Sequence, residues 1–183
     1  MMNHNHRVSG FAMWVTVDTV TQLSGIGMTR PAAILGAWVC GAAAAWPDVD
    51  HPDSGPAHTL DRVIPGLPAL INRVCGHRGA THWAATAVAI GAILGWLSWV
   101  TAPAMWFLAL AVGLGWLTHV LGDCPTYGGA PLFGPFSKRL IHITPYGYRF
   151  PTGGEFELTR VTPALQTWAS SAAVASITAT ITR

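Results

Sequence analysis

The sequence predicts an all-α, polytopic membrane protein with four or five helices, a metal site at one membrane face and a small Pro- and Gly-rich loop region. Charged residues make up only 10% of the 183 residues, against about 25% in typical soluble domains. Hydrophobic residues make up 51%, and the mean hydropathy is +0.39. Because so few charges cannot cover a water-exposed surface, a membrane location is expected. We expect one domain over residues 1–183, since no internal repeat or linker divides the chain.

The longest uncharged run predicts two membrane helices. Residues 79–122 contain no Asp, Glu, Lys or Arg, and a helix needs about 20 residues to cross the hydrocarbon core. Thr101, Ala102 and Pro103 provide a break, with Pro at a favoured helix start. We therefore predict helices over 82–100 and 103–122, with tryptophans near both ends, as is typical of residues at membrane interfaces.

Three further runs predict the remaining helices. Pro31 to Pro47 is uncharged and rich in small residues, which suits close helix packing in a bilayer. Residues 9–27 form an apolar run that includes Asp18, which is either a functional group or a hydrogen-bonded structural one. Val161 to Thr182 is uncharged but holds eight Ser and Thr, and we expect it to be a packed membrane helix.

The polar segments between these runs predict loops. Asp48 to Arg78 and Asp123 to Arg160 are both rich in Pro and Gly. Within the second, RLIHITPYGYRF suggests two short strands around a Pro-Tyr-Gly turn, that is, a short β-hairpin.

Composition also excludes several classes. A net charge of +2 is too small for the basic surface that nucleic-acid binding needs, so no nucleic-acid partner is expected. Cys40, Cys75 and Cys124 form neither an even set nor a CxxC pair, so we predict free thiols. The first apolar run is short and lacks a small-residue cleavage site, so no cleaved signal peptide is expected.

Residues that commonly bind metals cluster at the predicted helix ends. The second helix ends in WPDVDHPDSG, the third begins after HRGATHW, and the fourth ends in HVLGD, with His4 and His6 before the first helix. If the helices alternate across the membrane, all of these ends lie on one side. His119 and Asp123 are one turn apart and share a helix face. The sequence therefore predicts a metal centre at one membrane face.

The mixture of imidazole and carboxylate groups indicates which metals fit. Such a set suits zinc best, with manganese or iron as alternatives. The residues outnumber the ligands of one tetrahedral site, so either two ions bind or some groups orient ligands and transfer protons. Because a metal with an open position activates water, hydrolysis is the expected reaction class. His58 and His142 are excluded as single interfacial histidines, and Cys75 and Cys124 are expected to have packing roles.

The ordered motifs resemble those of the membrane-bound metal-dependent hydrolases, also described as LexA-binding, inner-membrane-associated hydrolases. The matching boxes are His6, PDVDHPDS from Pro47, HRGATHW from His77 and HVLGDCPTYGGAPLFGPFS from His119, with a later element at Thr152 to Glu155. Departures are Trp83 in place of the family's Ser, Cys124 after the Asp, and one extra residue in TYGGAP.

The resemblance implies a multi-pass inner-membrane hydrolase and assigns roles to individual residues. The implied metal ligands are His6, Asp50, His51, His82, His119 and Asp123. Asp48, His77 and Arg78 are the implied catalytic residues, as further ligands, proton carriers or, for Arg78, the group that holds an anionic substrate oxygen. The expected reaction is attack of activated water on an ester, with a phosphoester or lipid head group as the expected substrate.

Alternatives to a metal-dependent hydrolase fall into three groups. A metal-free membrane phosphatase also ends in HxxxD, but Gly113 occupies the position where it needs an Arg. A transporter is disfavoured because residues 84–118 hold no ionisable group, whereas a structural metal site is not. The third alternative is a regulatory membrane protein that binds a protein partner through residues 124–160.

The distribution of basic residues predicts the orientation. Eight Lys and Arg fall on the side of the predicted metal centre, and only Arg30 and Arg183 fall on the other. By the positive-inside rule, the metal centre should face the cytoplasm. Membrane lipids are the expected surroundings, and a small molecule or lipid is the expected substrate.

Overall fold

The computed structural model describes residues 1–181 and confirms the all-helical prediction. Its helices are α1 (Asn3–Leu23), α2 (Arg30–Ala43), α3 (Gly55–Val63), α4 (Leu67–Cys75), α5 (Ala84–Thr101), α6 (Trp106–Asp123) and α7 (Thr162–Ile181). Thr182, the last residue of the predicted C-terminal helix, and Arg183 lie outside the described residues.

Among residues 1–181, three segments are long and apolar enough to cross a membrane: Arg30–Asp50, Ala84–Thr101 and Pro103–Asp123. They contain α2, α5 and α6. Helices α1 and α7, with 21 and 20 residues, are of similar length but more polar. Helix α1 packs on α2, α6 and α7, whereas α5 packs mainly on α6. Helix α5 is therefore peripheral, with only 6% of its span buried inside the protein.

Close approach of α2 to its neighbours depends on small residues. A Cβ atom added at Gly10 of α1 would lie 2.7 Å from Ala44 Cβ, and one added at Gly115 of α6 would lie 3.0 Å from Ala43 Cβ. Cys40 of α2 is fully buried between these helices. The small-residue composition of this segment therefore lets α2 pack tightly between α1 and α6.

Helix α1 begins at Asn3, six residues before the predicted start, so the predicted placement of His4 and His6 ahead of the helix is wrong. No Pro or Gly interrupts residues 3–9. The backbone N–H of Met2 donates to Glu157 Oε1 at 2.6 Å, and a carboxylate at a helix N-terminus is favourable. Tertiary contacts therefore stabilise a polar first turn that the hydropathy pattern does not predict.

The segment between α2 and α5 is more ordered than the predicted loop. It contains two short helices, and Pro lies in the first turn of both. Ser54 caps α3 by accepting a hydrogen bond from Ala57 N at 3.0 Å. Pro and Gly here mark helix starts and ends, which is their common positional role.

The predicted β-hairpin around Pro145 is wrong. The described residues contain two isolated bridges, Thr126 with Phe150 and Ala130 with Ile141, and a 3-10 turn at Tyr146–Tyr148. Each arm of the expected hairpin pairs instead with the chain just after α6: Ala130 and Ile141 exchange backbone hydrogen bonds of 3.2 and 2.8 Å, and the Tyr127 N–H donates to the Phe150 carbonyl oxygen at 3.1 Å.

Candidate metal centre

Two fully buried histidines form the middle of the predicted site. His82 and His119 face each other with their Nε2 atoms 3.2 Å apart. His119 Nδ1 lies 2.8 Å from the carbonyl oxygen of Ala44, and His82 Nδ1 lies 2.9 Å from Thr81 Oγ1. A Nδ1–H donor in each ring leaves both Nε2 lone pairs directed toward the same point, as in metal-binding histidines.

Two carboxylates complete a four-atom group around this point. Asp48 Oδ1 lies 3.5 Å from Nε2 of both His82 and His119, and Asp123 Oδ2 lies 3.8 Å from both. Ligands at the usual zinc distances in a tetrahedron are about 3.4 Å apart. The donor types and these distances suit a divalent ion, and His82, His119 and Asp123 form one group whose ligand atoms lie within 4.8 Å of one another.

His6 adds a third buried imidazole beside this group. Its ring stacks on His119 with centroids 3.7 Å apart, and its Nε2 lies 3.3 Å from Asp123 Oδ1. Neither ring nitrogen of His6 has a hydrogen-bond partner among residues 1–181. His6, Asp48 and His119 also form a group whose ligand atoms lie within 4.8 Å of one another. A buried nitrogen without a partner is costly, so the residues present fit a metal ion here too.

The carboxylate of Asp50 has different hydrogen-bond partners from that of Asp48. Its carboxylate accepts hydrogen bonds from Thr81 Oγ1 at 2.5 Å and from the backbone N–H of Arg78 at 3.1 Å. His77 Nδ1 lies 3.0 Å from Asp50 Oδ1, and His82 Nδ1 lies 3.4 Å from Oδ2. The fully buried Asp50 thus contacts the Nδ1 side of His82, away from its Nε2.

The carboxylates of the site raise the pKa of His82. Burial lowers the pKa of His82, but interactions with the carboxylates of Asp48 and Asp50 outweigh it and raise this pKa to about 9. The carboxylates thus favour positive charge at His82, which a bound metal ion would supply in place of a proton.

A polar cavity of about 430 Å³ opens next to these groups. Its lining includes Asp48, His51, His77, Arg78, Asp123 and Thr152. His51 lies outside the buried group, since its Nδ1 accepts a hydrogen bond from Asp53 N at 3.2 Å and its ring centroid lies 5.0 Å from that of His77. The cavity gives a polar molecule access to both carboxylates of the group.

Arg78 is held rigidly at the edge of this cavity. Its backbone has a φ of 59°, which is uncommon for a residue with a side chain. Its Nη1 donates to the carbonyl oxygen of Gly129 at 2.7 Å, and its Nη2 lies 3.2 Å from Asp123 Oδ2. The loop after α6 thus fixes the guanidinium beside one of the carboxylates.

The buried acidic residue near the last matching element, Thr152 to Glu155, is Glu157, which lies two residues beyond that element. Glu155 is exposed, whereas Glu157 is fully buried. Glu157 accepts hydrogen bonds from Asn5 Nδ2 at 2.8 Å and from Gly153 N at 2.8 Å, and it lies in a π-helical turn before α7. In the sequence, the one signal for Glu157 is its position four residues after Gly153, whose backbone N–H it binds.

Other polar groups lie apart from the candidate metal centre. Asp18 accepts a hydrogen bond from Ser176 at 3.2 Å, which accords with the structural alternative. His142 Nδ1 lies 3.2 Å from the Thr126 carbonyl oxygen. Among the described residues, His58, His142, Cys75 and Cys124 belong to none of the groups that could hold a metal.

Comparison with known proteins gives one family. The YdjM inner membrane protein family matches residues 1–182. Two curated relatives, each described as inner membrane protein YdjM, come from Escherichia coli (strain K12) and Shigella flexneri, and each is 34% identical over 97 residues. The alignment covers 51% of this chain and 45% of each relative, so less than half of each relative's length is matched. No solved structure matches the chain.

Proposed function

The chain belongs to the YdjM inner membrane protein family, and we propose that it is a metal-dependent hydrolase of the inner membrane. The observation that carries the proposal is the spacing of four ligand atoms, in which two carboxylate oxygens lie 3.5 and 3.8 Å from each of two facing imidazole nitrogens. The family and the three candidate spans support the membrane location.

We assign the metal ligands from this geometry. Asp48, His82, His119 and Asp123 are the groups offered to one divalent ion, with zinc as the best fit to imidazoles and carboxylates; three of them suffice for a catalytic zinc, which would keep its fourth position for water. His6, beside Asp123 and Asp48, extends the site toward a second ion. Asp50 forms a candidate group with Asp48 and His82, but only Asp48 lies 3.5 Å from Nε2 of both histidines, so we assign Asp48 as the ligand, which exchanges the roles that the resemblance implies for these two residues.

Asp50 acts through the residues that it contacts. It accepts a hydrogen bond from Thr81, whose Oγ1 also contacts His82 Nδ1, so it orients the ligand ring. It also lies 3.0 Å from Nδ1 of His77, which leaves Nε2 of that half-exposed ring to accept and return a proton. A histidine oriented by a carboxylate in this way is a common general base.

The metal-binding groups and the adjacent cavity together support hydrolysis by activated water. A zinc ion held by these residues would supply a Lewis acid and lower the pKa of water at the site to about 7. His77 accepts the proton at the cavity wall, and Arg78 faces the same cavity with a guanidinium suited to an anionic substrate oxygen. His51, whose ring centroid lies 5.0 Å from that of His77, lines the same cavity. These residues support a phosphoester substrate, including the head group of a membrane lipid.

A structural metal site is the second candidate. The burial of His6, His82 and His119 is typical of closed sites, which need no access from solvent. The cavity beside Asp48, whose side chain is 20% exposed, favours the hydrolase, because a structural metal site does not require access for a substrate. A regulatory protein partner at residues 124–160 is compatible with either role.

Metal analysis combined with a hydrolysis screen tests the proposal. Purified protein loaded with zinc, manganese or iron would be assayed on phosphomonoesters, phosphodiesters, phospholipids and amides. We expect bound metal and turnover of a phosphoester, loss of both in His119→Ala, and loss of turnover with metal retained in His77→Gln. His58→Ala is the matched control. Tightly bound metal without turnover of any substrate would favour the structural role.

A further inference from the structure

A turn in the loop after α6 lies at the membrane-facing start of α5. The carbonyl oxygen of Leu132 accepts a hydrogen bond from the backbone N–H of Ala84 at 3.1 Å, and Ala84 is the first residue of α5. The Trp83 ring also packs directly against Gly134, where an added Cβ would overlap the indole. These contacts fix the turn, residues 131–139, at the level where a candidate span begins.

That level is the boundary of the hydrocarbon core. The span Ala84–Thr101 has 18 residues, which corresponds to about 27 Å of helix and nearly the full core thickness. Only 6% of it is buried inside the protein, so its surface is left to lipid. Trp83, immediately before it, is a residue type favoured at membrane interfaces.

The side chains of the turn combine apolar and basic groups. Phe133 is 58% exposed and Phe136 is 93% exposed, although large apolar side chains so accessible to water are unfavourable. Lys138 and Arg139 follow and are also exposed, and residues 124–154 contain no Asp or Glu. The turn therefore presents aromatic rings and uncompensated positive charge together.

We propose that this turn is an interfacial anchor that binds anionic phospholipids. Phe133 and Phe136 enter the boundary between acyl chains and head groups, and Lys138 and Arg139 contact the lipid phosphates. Apolar burial combined with attraction between basic side chains and anionic lipids is the usual basis of interfacial membrane binding. The binding partner of the turn is a leaflet of anionic lipids, because residues 124–154 contain no acidic residue that could balance the charges of Lys138 and Arg139.

The anchor also has a structural link to the cavity. The same loop supplies the Gly129 carbonyl oxygen that holds Arg78. Gly129 precedes the turn by two residues, so the proposed anchor and the residue that holds Arg78 lie in one loop.

Fluorescence in nanodiscs tests the anchor. Phe136→Cys, labelled with an environment-sensitive dye in a Cys75→Ser background, would be studied in phosphatidylcholine alone and in an equimolar mixture with phosphatidylglycerol. The Phe136 ring is almost entirely exposed, so its replacement removes little internal packing. We expect quenching by lipids spin-labelled near the head group, weak quenching by aqueous iodide, and a shift to shorter emission wavelength when phosphatidylglycerol is present.

Charge variants test the lipid preference. Lys138→Ser with Arg139→Ser should remove the spectral shift caused by phosphatidylglycerol, whereas Arg30→Ser, at the opposite end of the spans, should keep it. Hydrogen exchange of residues 131–139 in the unlabelled protein should slow in the anionic nanodiscs. Strong iodide quenching without lipid quenching, or identical exchange in both lipids, would overturn the proposal.

Discussion

Asp48 and Asp50 show why neighbouring residues of one motif take different roles. They lie two positions apart in the 3-10 turn Trp46–Asp50, so their side chains leave the backbone in different directions. Asp48 turns toward Nε2 of both central histidines, and Asp50 turns toward the donors of the HRGATH segment. The sequence predicts that WPDVDH contributes to the site, but only the backbone path determines which carboxylate meets the ligand nitrogens.

Replacement of Asp48 should remove a metal ligand. Asp48→Asn is expected to lower zinc affinity by more than about 100-fold, because the loss of a ligand exceeds the usual cost of losing a ligand's hydrogen-bond partner. Metal content after dialysis against a weak chelator measures the effect. Asp53→Asn, in the same loop but outside the buried group, should keep its metal. Full zinc occupancy in Asp48→Asn would show that the ligand assignment is wrong.

Replacement of Asp50 should have a smaller effect on metal and a larger one on turnover. Asp50→Asn keeps the shape but weakens the contacts that orient His77 and His82, so we expect a loss of about 10–100-fold in affinity or activity. Comparison of the metal content with kcat separates the two effects. Equal loss of metal in Asp50→Asn and Asp48→Asn would instead make Asp50 a ligand.

At the scale of the elements, Glu157 joins the start of α7 to the start of α1. Glu157→Gln should destabilise the protein by about 1.5–3 kcal/mol, since the charge-assisted hydrogen bonds from Met2 N, Asn5 and Gly153 become neutral ones. Thermal unfolding in detergent measures this difference. Glu155→Gln, on an exposed residue two positions earlier, is the matched control and should leave the melting temperature unchanged.

The same residue gives a pH dependence. Burial raises the pKa of Glu157, but its hydrogen bonds outweigh burial and hold that pKa below the ordinary value. Its stabilising contribution is therefore complete above about pH 4.3 and decreases as the pH falls further. The stability difference between wild type and Glu157→Gln should shrink in acid. A constant difference from pH 7 to pH 3 would contradict this account.

Two glycines of similar sequence context should respond differently to alanine. In Gly115→Ala the new Cβ would meet Ala43 Cβ at 3.0 Å and the Cys40 carbonyl oxygen even more closely, so overpacking should cost about 1–3 kcal/mol. In Gly95→Ala the nearest atom, Ala109 Cβ, lies 3.9 Å away. That variant should be neutral or more stable by up to about 1 kcal/mol, as expected for a helix interior. Thermal unfolding of both proteins provides the comparison.

The helices that the sequence predicted correctly are those that hydropathy alone determines. Helices α5 and α6 follow from the uncharged run, because hydropathy alone decides them. The start of α1 and the helices α3 and α4 were missed, since tertiary contacts and caps, such as Ser54, stabilise short polar segments there. The hairpin around Pro145 was wrong because strand pairing depends on which backbone groups are free elsewhere in the fold.

At the scale of the whole molecule, helix alternation explains why the sequence could predict that these residues lie together. His6 lies at the start of α1, Asp48 after the end of α2, His82 before the start of α5, and His119 and Asp123 at the end of α6, and the structure brings these ends together. Glu157 and Thr81 were not predicted, because their roles depend on contacts with groups far away in the chain. The site residues thus follow from topology, whereas their hydrogen-bond partners require the folded structure.

The orientation of the whole molecule gives the last prediction. The basic side chains concentrate at the end of the bundle that carries the candidate metal centre, so this end should face the cytoplasm. In a Cys75→Ser background, Ala102→Cys, at the exposed turn between α5 and α6, should react with a membrane-impermeant maleimide in intact spheroplasts. Thr59→Cys, exposed on α3 near the cavity end, should react only after the membrane is permeabilised. Because the two positions lie at opposite ends of the spans, reversed labelling would place the candidate metal centre, and any substrate that reaches it, on the outer face of the membrane.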